Sequence, residues 1–253
     1  MNKDKFLRTL IIITILAVLL GTLWHVGGFA LDAFSFIKGT GDKVTSDWEY
    51  EGVKEVEAKA DLLNITIKKG DSYTVSYDGD KKLEPKVEYD ESEGTLSIRQ
   101  SSSIKRVANM NFHSELTMTI PEGVTLEKMS LEADLGNVIV SDLTCKEMDL
   151  DLDLGNFEGR RVTVEELEVD ADLGNVELYE SSLKDVKVNA NLGNVILELT
   201  EDVSKYSITT DAAMGNVEIG GVKVKGKTSQ SGDLGTLKIV CDMGNITVYT
   251  KAE

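Results

Sequence analysis

The sequence predicts an all-β protein: a single-stranded β-helix or β-roll solenoid with coils of about 19–20 residues, preceded by one transmembrane α-helix. Three observations predict it. A short motif recurs at nearly constant spacing, apolar and polar residues alternate with period two inside each repeat, and one long apolar segment lies near the N-terminus. The composition agrees, because 22 glycines and only 2 prolines fit regular strands joined by tight turns.

The first predicted element is the apolar segment at residues 6–30, in which Arg8 is the only charged residue. A helix of about 20 apolar residues spans a bilayer core. The two lysines before it place residues 1–5 in the cytoplasm and the rest of the chain outside the cell. A cleaved signal peptide is the alternative, but the apolar run is long for one and no Ala-x-Ala site follows it. We therefore expect an uncleaved anchor.

The remainder divides into a linker and one extracytoplasmic domain. Residues 31–47 are polar enough for a short linker, and residues 48–253 carry the repetitive pattern. Within the domain, 48–130 is predicted to be an N-terminal coil with inserted strands, and 131–253 holds the regular repeats. The inserted strands alternate with period two and are predicted at 73–77, 86–89, 95–98 and 115–120.

The repeat motif reads Ala-Asp-Leu-Gly-Asn-Val, with small variations. Its glycines start at Gly136 and recur after 19, 19, 19, 22, 20 and 9 residues, and an earlier copy carries Leu63 in place of glycine. Glycine reaches positive φ freely and asparagine tolerates it, so the pair predicts a corner between two strands. The predicted structural repeat residues are Gly136, Asn137, Gly155, Asn156, Gly174, Asn175, Gly193, Asn194, Gly215, Asn216, Gly235, Gly244 and Asn245.

One such unit cannot bury its own apolar face, but units stacked about 4.8 Å apart can. We expect the asparagine amides to stack at one corner and to hydrogen-bond up the column. Cys145 and Cys241 would lie several coils apart and stay unbonded. An antiparallel sandwich is the competing fold, and constant spacing favours the solenoid. The expected apolar columns are Leu135, Leu154, Leu173 and Leu192, and Val138, Phe157, Val176 and Val195.

Aspartates recur beside the corner and predict an acidic column. Like charges opposite one another are destabilising, so solvent, lysines or a bound cation must offset them. Calcium is a candidate at Asp134, Asp153 and Asp172. We favour a solvated acidic face without a cofactor, because Asn191 interrupts the column. The expected column is Asp134, Asp153, Asp172, Asn191, Asp233 and Asp242.

The net charge of −17 argues against nucleic acid and against direct docking on anionic lipid. His113 is the one histidine outside the apolar segment, so neither a Ser/His/Asp set nor a zinc cluster can be assembled. We therefore predict a protein that is not an enzyme. The many carboxylate pairs keep a glycan-active enzyme as an alternative.

The charged start, the single apolar span and the tandem Asp-Leu-Gly-Asn-Val strands resemble the β-strand-repeat "putative adhesin" family, including LiaG-like membrane-anchored envelope proteins of Gram-positive bacteria. The resemblance covers about residues 48–252. It implies a single-pass cell-membrane protein with a non-catalytic, adhesin-like module outside the cell, and a protein or cell-envelope partner. A sensor or regulator accessory to an envelope two-component system is the alternative. Leu63 and Thr236 depart from the motif and predict capping units at the first and penultimate coils.

Overall fold

The computed structural model of the protein describes residues 42–101 and 113–251. The predicted cytoplasmic residues 1–5, the anchor at 6–30 and most of the linker lie outside this range. Within the range, no helix is both long and apolar enough to cross a membrane. Residues from 42 onward that the structure describes belong to one compact unit.

The described residues form eighteen β-strands and two short 3-10 helices, which confirms the all-β prediction. The strands are β1 (Lys43–Tyr50), β2 (Glu55–Ala60), β3 (Asn64–Gly70), β4 (Tyr73–Asp80), β5 (Lys86–Asp90), β6 (Thr95–Gln100), β7 (Ser114–Pro121), β8 (Thr125–Leu135), β9 (Val138–Ser141), β10 (Thr144–Leu154), β11 (Phe157–Arg160), β12 (Thr163–Leu173), β13 (Val176–Leu192), β14 (Val195–Leu199), β15 (Ser207–Ile219), β16 (Val222–Gln230), β17 (Thr236–Met243) and β18 (Ile246–Thr250). The 3-10 helices are Lys81–Leu83 and Val203–Lys205.

The middle of the chain forms stacked coils, as the repeat spacing predicts. Strands β8, β10, β12 and the second half of β13 pair in parallel, and β9, β11, the first half of β13 and β14 pair in parallel beside them. Equivalent residues face one another across these pairs; for example, Leu150 lies between Leu131 and Val169. The inward residues are almost all aliphatic and form one continuous core. Period-two alternation is therefore confirmed.

The order of the coils differs from the sequence order at both ends. The last coil, β17–β18, lies between the coil that ends with β14 and the coil formed by β15. The first coil, β2–β3, likewise lies between β6–β7 and β8–β9. The inserted strands β6 and β7 are thus an additional outer coil. Leu63 is consequently buried inside the stack at 1% exposure, and the prediction that its coil is a cap is wrong.

Antiparallel strands cover both ends of the stack. Strand β5 pairs with β6, β4 pairs with β7, and β1 pairs with β4. At the other end β16 pairs with β15. Within residues 42–101 and 113–251, antiparallel pairing is confined to these end strands, which agrees with a solenoid rather than a sandwich. Because β1 begins at Lys43, the predicted boundary between linker and domain at residues 47 and 48 falls inside a strand and is wrong.

The motif copy at residues 233–236 is not a corner of the stack. The backbone N–H groups of Asp233 and Leu234 both donate to the carbonyl oxygen of Lys205. Gly235 packs against the Lys184 carbonyl, which a Cβ would approach to 2.1 Å. Only 9 residues separate Gly235 from Gly244, too few for a coil. This segment instead leads the chain into its inserted last coil, so Asp233 and Gly235 are not members of the predicted columns.

Candidate interaction surface

The repeated asparagines form a ladder at one corner of the stack. The side-chain oxygen of each accepts a hydrogen bond from the backbone N–H of the next, as from Asn175 to Asn156 and from Asn194 to Asn175, both at 2.9 Å. Some amide groups also bond to one another, as Asn156 does to Asn137 at 3.0 Å. The ladder follows the spatial order Asn64, Asn137, Asn156, Asn175, Asn194, Asn245 and Asn216.

The corner glycines let the coils approach this closely. A Cβ on Gly155 would lie 1.7 Å from the carbonyl oxygen of Gly136, and one on Gly174 would lie 1.6 Å from that of Gly155. The series continues from Gly193 to Gly244 and then to Gly215, which again shows the inserted last coil. Since backbone atoms cannot yield to such contacts, glycine is required here for space.

A second corner carries a ladder of alternating charges that the sequence analysis missed. Asp142, Arg161 and Glu180 have φ of 56°, 51° and 52°, a left-handed conformation that is unusual outside glycine. The Arg161 guanidinium donates to both carboxylate oxygens of Asp142, at 2.6 and 2.9 Å. Lys251 pairs with Glu180 at 2.6 Å. The 19-residue spacing of the three left-handed residues, with alternating charge, is the signal that could have revealed this ladder.

The outward face of β10 and β12, together with the flanking strands, is strongly acidic. These two strands alone present eight outward carboxylates, four on each, and six of them lie directly opposite one another. We call this set the acidic face: Glu147, Asp149, Asp151, Asp153, Glu166, Glu168, Asp170 and Asp172. The neighbouring strands supply partners. From β8, Lys128 reaches Glu147 and Asp149. From β13, Lys187 pairs with Glu168.

Asparagines complete the partners on β13. The amide of Asn189 donates to Asp170 and that of Asn191 donates to Asp172, both at 2.6 Å. Repulsion remains between β8 and β10. Burial and then neighbouring carboxylates, Asp153 first, raise the pKa of Asp151, and burial followed by Asp61 and Asp153 raises that of Asp134. The face is therefore a surface of high negative potential.

The calcium candidates Asp134, Asp153 and Asp172 lie on three neighbouring strands, one on each. Among the residues that the structure describes, no group of three or more His, Cys, Asp or Glu side chains is arranged to hold a metal ion. Cys145 and Cys241 are both buried and form no disulfide, as predicted. Burial raises the pKa of the Cys145 thiol to about 12, which makes it a weak nucleophile.

The predicted leucine column is not part of the core. The leucines lie in register from strand to strand, but Leu135 is 38% exposed and the next three are half-buried. The strand pairing skips the residue before each leucine, which is an aspartate in three cases and Asn191 in the fourth, so the chain bends there and turns the leucine outward. Methionines extend the row, with exposures of 40% at Met243 and 63% at Met214. We call this row the Leu/Met ridge: Leu135, Leu154, Leu173, Leu192, Met243 and Met214.

The valine column, in contrast, is fully buried as predicted, with Val138, Phe157, Val176 and Val195 at 0% exposure.

The model of the Toastrack DUF4097 family matches residues 53–248, which is most of the chain. The protein belongs to this Toastrack family. A search of curated proteins found no match.

Solved structures include chains that are similar to this one. A "putative cell adhesion protein" from Clostridium sporogenes is 16% identical, with 83% of this chain and 99% of that chain covered and a TM-score of 0.56. A "putative adhesin" from Bacteroides fragilis is 16% identical over 84% and 99% of the two chains, with a TM-score of 0.46. A "putative lipid binding protein" from Parabacteroides distasonis is 16% identical over 84% and 98%, with a TM-score of 0.47.

The Toastrack solenoid therefore combines four parallel rows along its stack. The asparagine ladder and the alternating charges are satisfied internally and hold the coils together. The acidic face and the Leu/Met ridge leave charge and apolar surface open to solvent. These two rows are where the chain has chemistry to offer to another molecule.

Proposed function

We propose that this chain is a non-catalytic, adhesin-like interaction module held outside the cell by a membrane anchor at residues 6–30. The observation that carries the proposal is the acidic face, eight outward carboxylates on two neighbouring parallel strands of the stack. A solenoid presents such a surface as a stiff, extended contact area. The name of the C. sporogenes structure, which shares the fold, points the same way.

The physical reason for a contact role is the unfavourable charge alignment. Like charges directly opposite one another destabilise a sheet, yet β10 and β12 place carboxylates in three cross-strand pairs, of which Asp151 and Asp170 are one. Folding alone does not need this arrangement, because the core is formed by the inward residues. A partner with complementary positive charge would gain both attraction and fast association from it.

The proposal is tested with full-length protein in the membrane of intact cells. Protease added from outside should digest the domain, and tagged protein should capture a partner from envelope extracts. Reversing charge with Glu166→Lys and Asp170→Lys should abolish capture. Glu177→Lys in the first half of β13 and Glu198→Lys in β14, which reverse charge away from the acidic face, are the matched control and should leave capture intact. Equal capture by both variants, or protection from external protease, would refute the proposal.

We extend the proposal to the cell-envelope stress response, as the resemblance to LiaG-like proteins implies. The supporting feature is topological, because an anchored module outside the cell with no reaction of its own can report on envelope partners. Deleting the gene should alter growth under cell-wall antibiotics, and full-length protein should restore it. Unchanged growth would remove the stress role and leave the contact role standing.

A further inference from the structure

We infer that the Leu/Met ridge, together with the aspartates beside it, is the docking surface for a basic amphipathic α-helix of a partner protein. The inference rests on the proposed contact function and names the partner's chemistry. It starts from the ridge itself, six apolar side chains in unbroken register. At the spacing of paired strands the ridge extends about 24 Å.

The ridge is set apart from ordinary surface apolar residues by its alignment. Scattered exposed leucines are normal on soluble proteins, whereas contiguous apolar surface marks a contact site. Three of the six exposed large apolar residues in the described chain belong to it: Leu135, Met243 and Met214. Methionine side chains are flexible and suit a surface that adapts to its partner.

The two flanks of the ridge define the charge of the partner. On one side lies the asparagine ladder, whose amides bond to the next coil. On the other side three of the four leucines follow an exposed aspartate, such as Asp153 or Asp172. Burial and repulsion already raise the pKa of Asp134 in this row. A cationic partner would relieve that repulsion, whereas an anionic lipid surface would add to it.

The spacing between successive residues of the Leu/Met ridge defines the partner's conformation. An α-helix laid along the ridge repeats its apolar side chains about every 5.4 Å, close to the roughly 4.8 Å between rungs. An extended strand repeats one face about every 6.8 Å and loses register after two rungs. About 16 helical residues match the ridge length. Lysines or arginines beside the apolar stripe would then reach the aspartates.

The test uses residues 42–251, which form one compact unit, with folding checked by cooperative thermal melting. The C. sporogenes chain, 99% of which aligns with part of this one, has the same fold. The probe is an 18-residue peptide of leucine and lysine with leucine at helical i, i+3, i+4 and i+7 positions. A peptide of the same composition in scrambled order controls for charge alone. We expect the amphipathic peptide to bind at least tenfold more tightly, and equal binding would overturn the inference.

Variants locate the contact. Leu154→Gln with Leu173→Gln should weaken peptide binding at least tenfold. Ile139→Gln with Ile196→Gln alters half-buried outward residues of β9 and β14, away from the ridge, and should change binding less than twofold. Asp172→Asn should weaken binding about threefold and reduce its salt dependence. Unchanged peptide binding after the ridge substitutions would overturn the docking site. This result would not affect the proposed contact function, which is tested separately by partner capture with the acidic-face variants.

A second readout needs no variant, which protects the test against substitutions that unfold the protein. The peptide carries a photoreactive leucine in its apolar stripe, and cross-linked residues are mapped by mass spectrometry. Cross-links on Leu154, Leu173, Leu192 or Met243 support the inference. Cross-links confined to β9, β11 and β14, or to acidic-face residues away from the ridge such as Glu147 and Glu166, contradict it, while leaving the proposed contact function in place.

Discussion

The middle and the ends of the stack follow different rules. From β8 to β14 each coil lies on its predecessor, with a constant offset of 19 residues. At each end the terminal coil of the chain is inserted one place inward, and an outer coil closes the stack. The sequence motif thus determines the shape of a coil but not its neighbour. The neighbour is determined by which strands still have an unpaired edge.

Both ends solve the same physical problem. A parallel stack leaves open strand edges that can pair with other chains. Each outer coil is covered by an antiparallel strand, β5 and β4 at one end and β16 at the other. The outward residues of β16 include Lys223, Lys225 and Lys227, and edge lysines discourage further pairing. Insertion also pairs the first and last coils on both sides, so that neither terminal coil is an edge.

The largest expected effect contrasts a corner of the middle with a hairpin at the end. Gly155→Ala should lower the free energy of unfolding by about 3 kcal/mol or more, because its Cβ would overlap the Gly136 carbonyl. Gly221→Ala meets no atom within 4 Å and has φ +80°, so it should cost about 1 kcal/mol. Urea denaturation of both variants measures the difference. Equal losses would contradict close backbone packing at the corners.

Ile239→Ala tests whether the inserted coil is packed like the middle. Ile239 is 1% exposed and pairs with Val188 on one side and Thr210 on the other. The substitution should cost about 3 kcal/mol, similar to Leu150→Ala in the middle. Both are compared by chemical denaturation. A loss below about 1 kcal/mol would mean that β17 is a frayed end and not an interior strand.

The asparagine ladder offers a smaller contrast between its centre and its last rung. Asn175→Ala removes an acceptor for the backbone N–H of Asn194 and should cost about 1–2 kcal/mol. Asn216 is exposed and donates its N–H to Asn245, a bond that Asn216→Ala retains. That variant should lose less than about 0.5 kcal/mol. Similar losses at both positions would show that the side-chain oxygens do not support the ladder.

Thr210 marks a polar group left over at the C-terminal end. Its hydroxyl is buried at 0% exposure, and within the described residues it has no hydrogen-bond partner. The equivalent residues in the middle are aliphatic, such as Val169 and Leu150. Thr210→Val keeps the shape and should stabilise the protein by about 1 kcal/mol in thermal melting. Destabilisation would indicate that the hydroxyl is bonded in solution.

The smallest expected effects are pH-dependent and opposite in sign. The pKa of Asp151 is raised, so its charged form costs stability at neutral pH, and Asp151→Asn should stabilise there. The Arg161 guanidinium lowers the pKa of Asp142, so Asp142→Asn should destabilise. Both effects should stay below about 1 kcal/mol and vanish as the pH falls through the carboxylate pKa values. Melting curves of both variants from neutral to acidic pH measure these changes. Stability changes of the same sign in both variants at neutral pH would contradict the opposite roles of Asp151 and Asp142.

The sequence predicts the local features of the fold well. The Gly-Asn corners, the buried valine column, the unbonded cysteines and the acidic face follow from a 19-residue spacing and period-two alternation. The prediction that the leucine row belongs to the core is wrong, because alternation cannot reveal the bend at the residue before each leucine. The charge ladder was missed because left-handed residues such as Asp142 and Arg161 are not glycines.

The order of the coils could not be predicted, because the choice is not local. Gly193 is followed by motif copies at Gly215 and Gly244, both with the Gly-Asn corner that stacking requires. The copy 51 residues away lies against it, as the bond from Asn245 to Asn194 shows. Which copy lies against Gly193 depends on how all the strands of the stack can be paired at once, and no single repeat encodes that.

Disulfide trapping tests the inserted coil most directly, since paired strands place Cα atoms within bonding range. The outward residues Asn189 and Val240 are direct neighbours across β13 and β17, and Val240 also faces Asp211. Mild oxidation should therefore link the cysteines of Asn189→Cys with Val240→Cys, and should leave those of Asn189→Cys with Asp211→Cys reduced. A bond between positions 189 and 211 without one between 189 and 240 would show that the coils stack in sequence order.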